Sequence, residues 1–189
     1  MCNTRMSNYP LSLDSFTLGS AVQPTSNPPL PFDPIAEARR QWERRWKGAG
    51  QMATATALIR AQQIVMATVE KALEPLGLTF ARYEALVLLH FSRSGRLPLG
   101  KMGARLQVHP TSITNAIDRL EQSGLVRRVS EPADRRLTLA EITPAGRDLV
   151  EVATNALIPT AFGLKSLGDN DLGQLDAILS RLRDRKSVV

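Results

Sequence analysis

The part of this 189-residue chain that most constrains its fold is a pair of short amphipathic segments separated by three residues. The first segment runs from about residue 100 to 106 and the second from 110 to 123. Pro110 suits the first position of a helix, because it lacks an N–H and its φ is already near the helical value, and His109 then stands at the N-cap. Two short helices joined in this way predict a helix-turn-helix.

The second segment combines an apolar face with a face of short polar side chains. Apolar residues recur at spacings of three and four, as on the packed side of a helix, at Ile113, Ala116, Ile117 and Leu120. The first two turns otherwise carry hydroxyls and an amide, at Thr111, Ser112, Thr114 and Asn115. Asparagine can bond adenine through two hydrogen bonds, and a threonine methyl can meet that of thymine. The pattern predicts a helix that reads the DNA major groove, with Arg119 placed for phosphate; a neutral capped helix in a bundle is the alternative.

Two strand-like segments follow at residues 125–130 and 137–142, and residues 131–134 between them have the composition of a hairpin tip. This arrangement predicts a β-hairpin, or wing. Arg135 and Arg136 lie beside the tip, where Asp134 can pair with one of them and fix its direction. Arginine suits the narrow minor groove, where the negative potential of DNA is strongest. A solvated charged turn is the alternative interpretation of the tip.

Most of the positive charge of the chain lies in and around these segments. The net charge is +6, and residues 93–136 carry nine basic side chains against four acidic ones. Arg127 and Arg128 are neighbours in the first strand and point to opposite faces, so we expect at least one to face solvent or phosphate. The concentrated surplus indicates a polyanionic partner, here double-stranded DNA, although a merely basic surface would also produce it.

Other features argue against several classes of protein. We expect no membrane segment and no secretory signal, because no stretch approaches the roughly 18 apolar residues of a membrane helix and the first thirty residues lack an apolar run. The single cysteine, Cys2, cannot form an internal disulfide, which favours the cytoplasm. Two histidines, no metal-ligand spacing and no glycine-rich loop give an enzyme little support, so we expect no catalytic residue, cofactor or metal.

The segments on either side of this region predict a tail and two sets of helices. Residues 1–32 are rich in Pro, Ser, Thr and Asn without any period, which predicts a disordered tail. Asp33 and Pro34 signal the start of a helix to about residue 47, and Thr79 caps another to about residue 92, in which we expect His90 to be a hydrogen-bonded packing residue. Further helices are predicted at residues 52–74, from 143 to about 159, and from 169.

Residues 78–147 contain three segments with a recognisable order and spacing: LTFARYEALVLLHF, LGKMGARLQVHPTSITNAIDRLEQSGLVRR and EPADRRLTLAEITPAGR. They resemble the multiple-antibiotic-resistance-regulator (MarR) family. The resemblance implies a winged helix-turn-helix whose recognition helix spans residues 110–123. It also places a few of its residues closest to the bases, namely His109, Thr111, Ser112 and Asn115. Finally, it implies that Arg135 or Arg136 enters the minor groove, with Asp134 as its orienting partner.

The resemblance also implies how the chain assembles and is controlled. Members are mostly homodimers joined through terminal helices, here residues 34–47, 143–167 and 169–185, and many are repressors released by small phenolic or other aromatic ligands. The residues themselves agree, since amphipathic flanking helices need a partner to cover their apolar stripes. Other members sense oxidants through a cysteine near the N-terminal helices, and this sequence has no cysteine there.

The sequence therefore predicts a mainly α fold with a small β-hairpin wing, a winged helix-turn-helix with N- and C-terminal dimerisation helices. The predicted domains are a tail (1–32), N-terminal dimerisation or linking helices (33–75), the DNA-binding domain (76–143) and C-terminal dimerisation helices (144–189). The predicted function is a sequence-specific DNA-binding regulator, a repressor, acting as a homodimer on a pseudo-palindromic operator and released by a small effector. The alternatives are a winged-helix module that binds protein instead of DNA, and a ligand sensor without a DNA role.

Overall fold

The structure, a computed structural model, describes residues 30–131 and 134–183, and it gives no side-chain detail at residues 131 and 134–137. The predicted tail, residues 1–32, falls almost entirely outside the described residues. The described helices are α1 (Pro34–Glu43), α2 (Ala49–Leu73), α3 (Phe80–His90), α4 (Leu99–Leu106), α5 (Pro110–Gln122), α6 (Pro144–Leu157) and α7 (Asp169–Arg183). The strands are β1 (Arg96–Pro98), β2 (Val126–Glu131) and β3 (Asp134–Ile142). This order confirms the winged helix-turn-helix between two helical flanks.

Capping side chains set the starts of the helices. The Asp33 carboxylate accepts a hydrogen bond from the Ile35 N–H at 2.9 Å, at the start of α1. The Thr143 hydroxyl accepts from the Gly146 N–H at 3.1 Å at the start of α6, and Thr79 caps α3 in the same way. Each contact satisfies one of the N–H groups that a helix start leaves without a partner. The predicted starts of these three helices are confirmed.

The first helix is shorter than the sequence predicted. It ends at Glu43 instead of near residue 47. The indole N–H of Trp42 donates to the Lys47 carbonyl at 3.0 Å, and Gly48 has a φ of +78°, which L side chains rarely adopt. The chain therefore turns sharply here, and α2 begins at Ala49, three residues before its predicted start.

The core lies where the C-terminal half of α2 meets α3, α4, α5, α6 and the sheet. Its large, fully buried side chains are Val69, Leu73, Leu86, Leu89, Met102, Ile117, Leu120, Val126 and Leu157. The predicted apolar face of α5 is confirmed, since Ile113, Ala116, Ile117 and Leu120 are all buried. Packing on that face fixes which side of α5 is left for solvent or a ligand.

The sheet has three antiparallel strands in the order β1-β3-β2, one strand more than the sequence predicted. The additional strand is β1, whose Leu97 pairs with Ala140 of β3. In the hairpin, Val126 pairs with Ile142, and the register shifts between Ser130 and Glu131. β3 begins at Asp134, three residues before its predicted start, and β2 ends at Glu131. Residues 132–133 lie outside the described residues.

After α6 the chain turns back towards α2. The helix ends at Leu157, close to the predicted end near residue 159, and a 3₁₀ turn covers Ile158–Gly163. Ala161 and Phe162 have φ values of 47° and 52°, in the left-handed region. A Cβ on Gly163 would lie 3.1 Å from the Val65 Cα, so glycine permits this close approach. Among the described residues, no helix combines the length and apolar character needed to cross a membrane.

His90, at the end of α3, packs as predicted, but its ring makes no hydrogen bond to another described residue. Its Nε2 lies 3.5 Å from a Glu151 carboxylate oxygen on α6, and its ring meets the edge of Phe91. Its Nδ1 is buried and has no hydrogen-bond partner among the described residues. The expectation of a hydrogen-bonded histidine is therefore not met by any contact among the described residues. The carboxylate beside it comes from a residue about 60 positions away, which inspection of the local sequence does not show.

Candidate nucleic-acid interface

The N-terminal half of α5 presents short polar side chains to solvent. The core takes the opposite face of the helix, so the exposed set contains four of the predicted base- or backbone-contacting residues, Thr111, Ser112, Thr114 and Asn115. The side chain of Asn115 makes no hydrogen bond to another described residue. Short side chains allow the helix axis to come close to base edges. The structure thus brings these four candidates together on one accessible surface.

His109 closes the N-terminus of α5 as its N-cap. Its Nδ1 accepts a hydrogen bond from the Thr111 N–H at 3.2 Å, while Pro110 occupies the first helical position. In the neutral ring the proton must then sit on Nε2, which makes that atom a donor. Thr114 donates its hydroxyl to the Pro110 carbonyl at 3.0 Å, so only its lone pairs remain for an outside partner.

Arg119 lies further along the same helix and is exposed. Its Nη1 donates to the Gln122 side-chain oxygen at 3.2 Å, a weak surface contact that a phosphate could replace. Its position fits the predicted phosphate contact better than a base contact, because it stands two turns from the N-terminal residues of α5.

The two neighbouring arginines of β2 have different surroundings. Arg127 has 66% of its side chain exposed, and its Nε donates to Glu141 of β3 at 3.1 Å. Arg128 is half-buried and donates to the carboxylates of Asp118 and Glu121 on α5. Those bonds, first the one to Asp118, raise the pKa of Arg128. Arg127 is thus the member of the pair that faces solvent, as expected for at least one of them.

This contact from Arg128 to α5 escaped the sequence reasoning. The Asp118 side chain is 43% exposed, and its carboxylate is bound to Arg128 of the strand. The signal was nevertheless present, because Asp118 and Glu121 stand three residues apart and therefore share a helix face that an arginine can bridge. The register of β2 against that face decides which of the two arginines does so.

The wing continues this surface towards the hairpin tip. The backbone of β3 starts at Asp134, so Arg135 and Arg136 stand on the strand at its tip end. Asp134 pairs in register with Glu131 across the hairpin. The side chains of all three predicted wing residues lie outside those that the structure describes, and their contacts remain predictions.

Two further surfaces lie on the flanking helices. Large apolar side chains are exposed at Leu58, Ile59, Ile64, Ile178 and Leu182. No side chain of α7 is fully buried within the protomer. Between α2 and the end of α6 runs an open groove of about 610 Å³, lined by Ala67, Thr68, Lys71, Ala72, Ala156 and Thr160. The flanks therefore offer one apolar surface and one groove with a cationic side chain.

Comparison with known proteins identifies the family. The sequence profile of the MarR family matches residues 78–138. The chain is 35% identical over 111 residues to the organic hydroperoxide resistance transcriptional regulator of Bacillus subtilis, covering 58% of this chain and 73% of that protein. Curated Bacillus subtilis relatives as a group, most of them HTH-type transcriptional regulators, are matched over 44% to 73% of their own length.

Solved structures share the fold as well as the sequence. Sco5413, a MarR family transcriptional regulator from Streptomyces coelicolor, is 51% identical, with a TM-score of 0.67 over 72% of this chain and 94% of that one. CouR from Rhodococcus jostii RHA1, solved with p-coumaroyl-CoA bound, is 28% identical, with a TM-score of 0.62 over 72% of this chain and 95% of that one. With the helix-turn-helix, the wing and these similarities in agreement, the chain belongs to the MarR family of transcriptional regulators.

Proposed function

We propose that this protein is a sequence-specific DNA-binding transcriptional regulator that works as a homodimer in the cytoplasm. The observation that carries the proposal is the exposed polar face of α5, held on the core by its apolar face and flanked by a basic hairpin. α5 would enter the major groove, as in other helix-turn-helix proteins, and the wing would reach the adjacent minor groove. The family of transcriptional regulators to which the chain belongs supports this function.

The contacts divide into base readout and backbone positioning. Asn115 and Thr111 would read bases, with His109 and Ser112 beside them at the helix N-terminus. Thr114, Arg119 and Arg127 would bind phosphate or sugar. Arg135 or Arg136 would enter the minor groove, oriented by Asp134.

The dimer follows from the exposed apolar residues on α2 and α7. A two-fold dimer requires a pseudo-palindromic operator whose half-sites lie about 10 bp apart, one helical turn. Binding to a promoter in this way blocks polymerase, so we propose repression as the output. In this proposal residues 76–143 form the DNA-binding domain, and residues 33–75 and 144–189 form the dimer contacts.

A small aromatic or phenolic effector completes the proposal. CouR was solved with p-coumaroyl-CoA bound, and the groove beside Lys71 has the volume of a ligand site, which is commonly about 300–1,000 Å³. Lys71 would pair with an anionic group on such a compound. Titrating p-coumarate and p-coumaroyl-CoA into the operator complex measures release, and Lys71→Ala should weaken any release that they cause.

The function is tested by fluorescence anisotropy on the promoter of the protein's own gene and on random DNA of equal length. We expect a specific complex whose affinity falls steeply with salt, because phosphate counterions are displaced. Asn115→Ala should lower discrimination by about 1–3 kcal/mol, whereas Asn155→Ala on α6 is the matched control and should not. A folded dimer without any specific complex would contradict the proposal and favour a protein-binding winged helix.

The wing is tested separately through the salt dependence. Replacing both Arg135 and Arg136 with Ala should flatten the slope of log K against log salt by about 0.9 for each lost phosphate contact. An unchanged slope would show that the wing does not touch DNA. No step of this proposal requires a catalytic residue, cofactor or metal.

A further inference from the structure

One ion cluster joins the recognition helix to the wing. Arg128 on β2 donates from Nη1 to Glu121 and from Nη2 to Asp118, both on α5. The backbone N–H of Arg128 also donates to the other Glu121 oxygen at 2.8 Å. One strand residue thus makes three bonds to two consecutive turns of the helix.

The cluster sits where it can set the direction of α5. Arg128 binds the C-terminal half of the helix, whereas the candidate base-reading residues Thr111 and Asn115 lie in the N-terminal half. Only residues 123–125 connect α5 to β2, so the helix and the strand are already joined by a short loop. Charge-assisted, two-pronged bonds are shorter and geometrically stricter than neutral ones. The bonds of Arg128 therefore fix the angle between α5, which would enter the major groove, and the wing, which would enter the minor groove.

The charges at this place are unusual for a DNA-binding surface. Asp118 and Glu121 put two carboxylates on the helix that must approach phosphates, and the half-buried guanidinium offsets one of the two charges. On charge alone, neutralising either carboxylate should strengthen DNA binding. The two carboxylates instead bind Arg128 and so hold its guanidinium away from the phosphates.

We propose that Arg128, Asp118 and Glu121 form a positioning clamp that fixes α5 against the wing and so sets operator specificity, without contacting DNA. This inference rests on the proposed DNA-binding function. Arg127, next in the chain and mostly exposed, is the phosphate candidate of the pair. Glu121 binds Arg128 and Glu141 binds Arg127. Replacing each glutamate in turn by glutamine therefore separates the role of Arg128 from that of Arg127.

The experiment measures operator affinity, random-DNA affinity and thermal stability for the full-length wild type, Glu121→Gln and Glu141→Gln. The clamp predicts that Glu121→Gln lowers the ratio of operator to random-DNA affinity by about tenfold or more, although the variant gains positive charge. Random-DNA affinity should stay equal or rise. Glu141→Gln makes the same chemical change but frees Arg127. It should leave the ratio of operator to random-DNA affinity unchanged, and each of the two affinities should stay equal or rise.

Arg128→Lys provides the second variant and keeps the proposal testable if Glu121→Gln folds poorly. Lysine preserves the charge but cannot form the two-pronged bridge. The clamp predicts a reduced affinity ratio and an unchanged salt slope, whereas a phosphate contact would survive the exchange with the ratio intact. Operator affinity raised by Glu121→Gln, or a wild-type ratio in Arg128→Lys, would overturn the clamp alone. Absence of a specific wild-type complex would overturn the DNA-binding function together with it.

Discussion

His109 combines a structural role with a position beside the candidate base-reading residues. Its Nδ1 caps α5, so alanine at this position removes both the cap and the ring. We expect His109→Ala to lower the free energy of unfolding by about 1 kcal/mol, the usual value of an N-cap, and to weaken operator binding. His109→Asn keeps a capping oxygen, so it should hold stability while still losing the Nε2 donor. Urea unfolding and operator titration of both variants separate the two roles; wild-type operator affinity in His109→Asn would show that the ring reads nothing.

Gly146, in the first turn of α6, is required by close packing. A Cβ there would lie 2.2 Å from the Leu125 carbonyl oxygen, which is held by Thr143 through both its N–H and its hydroxyl. Because that oxygen belongs to the backbone, it cannot swing aside. We expect Gly146→Ala to cost about 1–3 kcal/mol of stability, as other overpacking changes do.

The control for Gly146 is Gly100 in α4, where an added Cβ meets no atom within 4 Å. Gly100→Ala should be neutral or stabilise by up to about 1 kcal/mol, because it reduces the freedom of the unfolded chain. Urea midpoints of the two variants provide the comparison. Equal midpoints would mean that the backbone near Leu125 yields more easily than its hydrogen bonds indicate.

Sequence reasoning at this scale succeeds where the deciding contact is local. The caps at Asp33, Thr79 and Thr143 bond to groups two or three residues away, so the chain order alone reveals them. Arg128 differs, because its partners lie seven and ten positions back and are reached only after the chain reverses into β2. The polar face of α5 could be predicted, and the clamp behind it could not.

At the scale of elements, the helices and the hairpin follow from periodicity, while short or strained elements do not. β1 has three residues and ends in Pro98, and it exists because β3 supplies pairing partners from more than 40 residues away. The early end of α1 depends on the Trp42 contact to Lys47, which is a matter of side-chain conformation. An element of this kind is stabilised by its neighbours more than by its own sequence.

The turn after α6 is an element that carries backbone strain. Ala161 has a φ of 47°, a region that costs an L residue about 1–2 kcal/mol and costs glycine almost nothing. We therefore expect Ala161→Gly to stabilise the protein, by up to about 1 kcal/mol once the added freedom of the unfolded chain is counted. Ala104→Gly, at an exposed position inside α4, is the control and should destabilise by about 0.5–1 kcal/mol. Thermal unfolding of the two variants should move in opposite directions; a loss in both would show that Ala161 is unstrained.

At the scale of the whole molecule, the proposed dimer would cover apolar surface that the protomer leaves exposed. α7 is a 15-residue helix with no fully buried side chain in its own protomer, and isolated helices of this length are marginal in water. Its predicted apolar stripe is half-buried at Leu172, Leu175 and Leu179 and exposed at Leu182. Ile178, at the edge of this stripe, is exposed as well, so apolar surface is left for a second copy to cover. The sequence could predict this stripe but not how little of it the protomer buries, which depends on where the turn after α6 directs the chain.

Ile178→Lys with Leu182→Lys should therefore convert the dimer into monomers with less helix. Two added positive charges would by themselves favour phosphate, so a loss of operator binding can be assigned to the loss of the dimer. With one half-site per protomer, operator affinity should fall on the order of 100-fold or more, since the second contact is no longer intramolecular. Light scattering after size exclusion gives the mass, and anisotropy gives the affinity.

The matched control places the same charges on the opposite side of the same helix. Asn170 and Ala177 are exposed and lie about half a turn away from the apolar stripe of α7, so Asn170→Lys with Ala177→Lys should leave the dimer intact. Its operator affinity should equal or exceed that of the wild type. A stripe variant that remains dimeric would show that α7 packs elsewhere. A monomeric variant with wild-type operator affinity would show that one winged helix suffices, and the requirement for a two-fold operator would then be wrong.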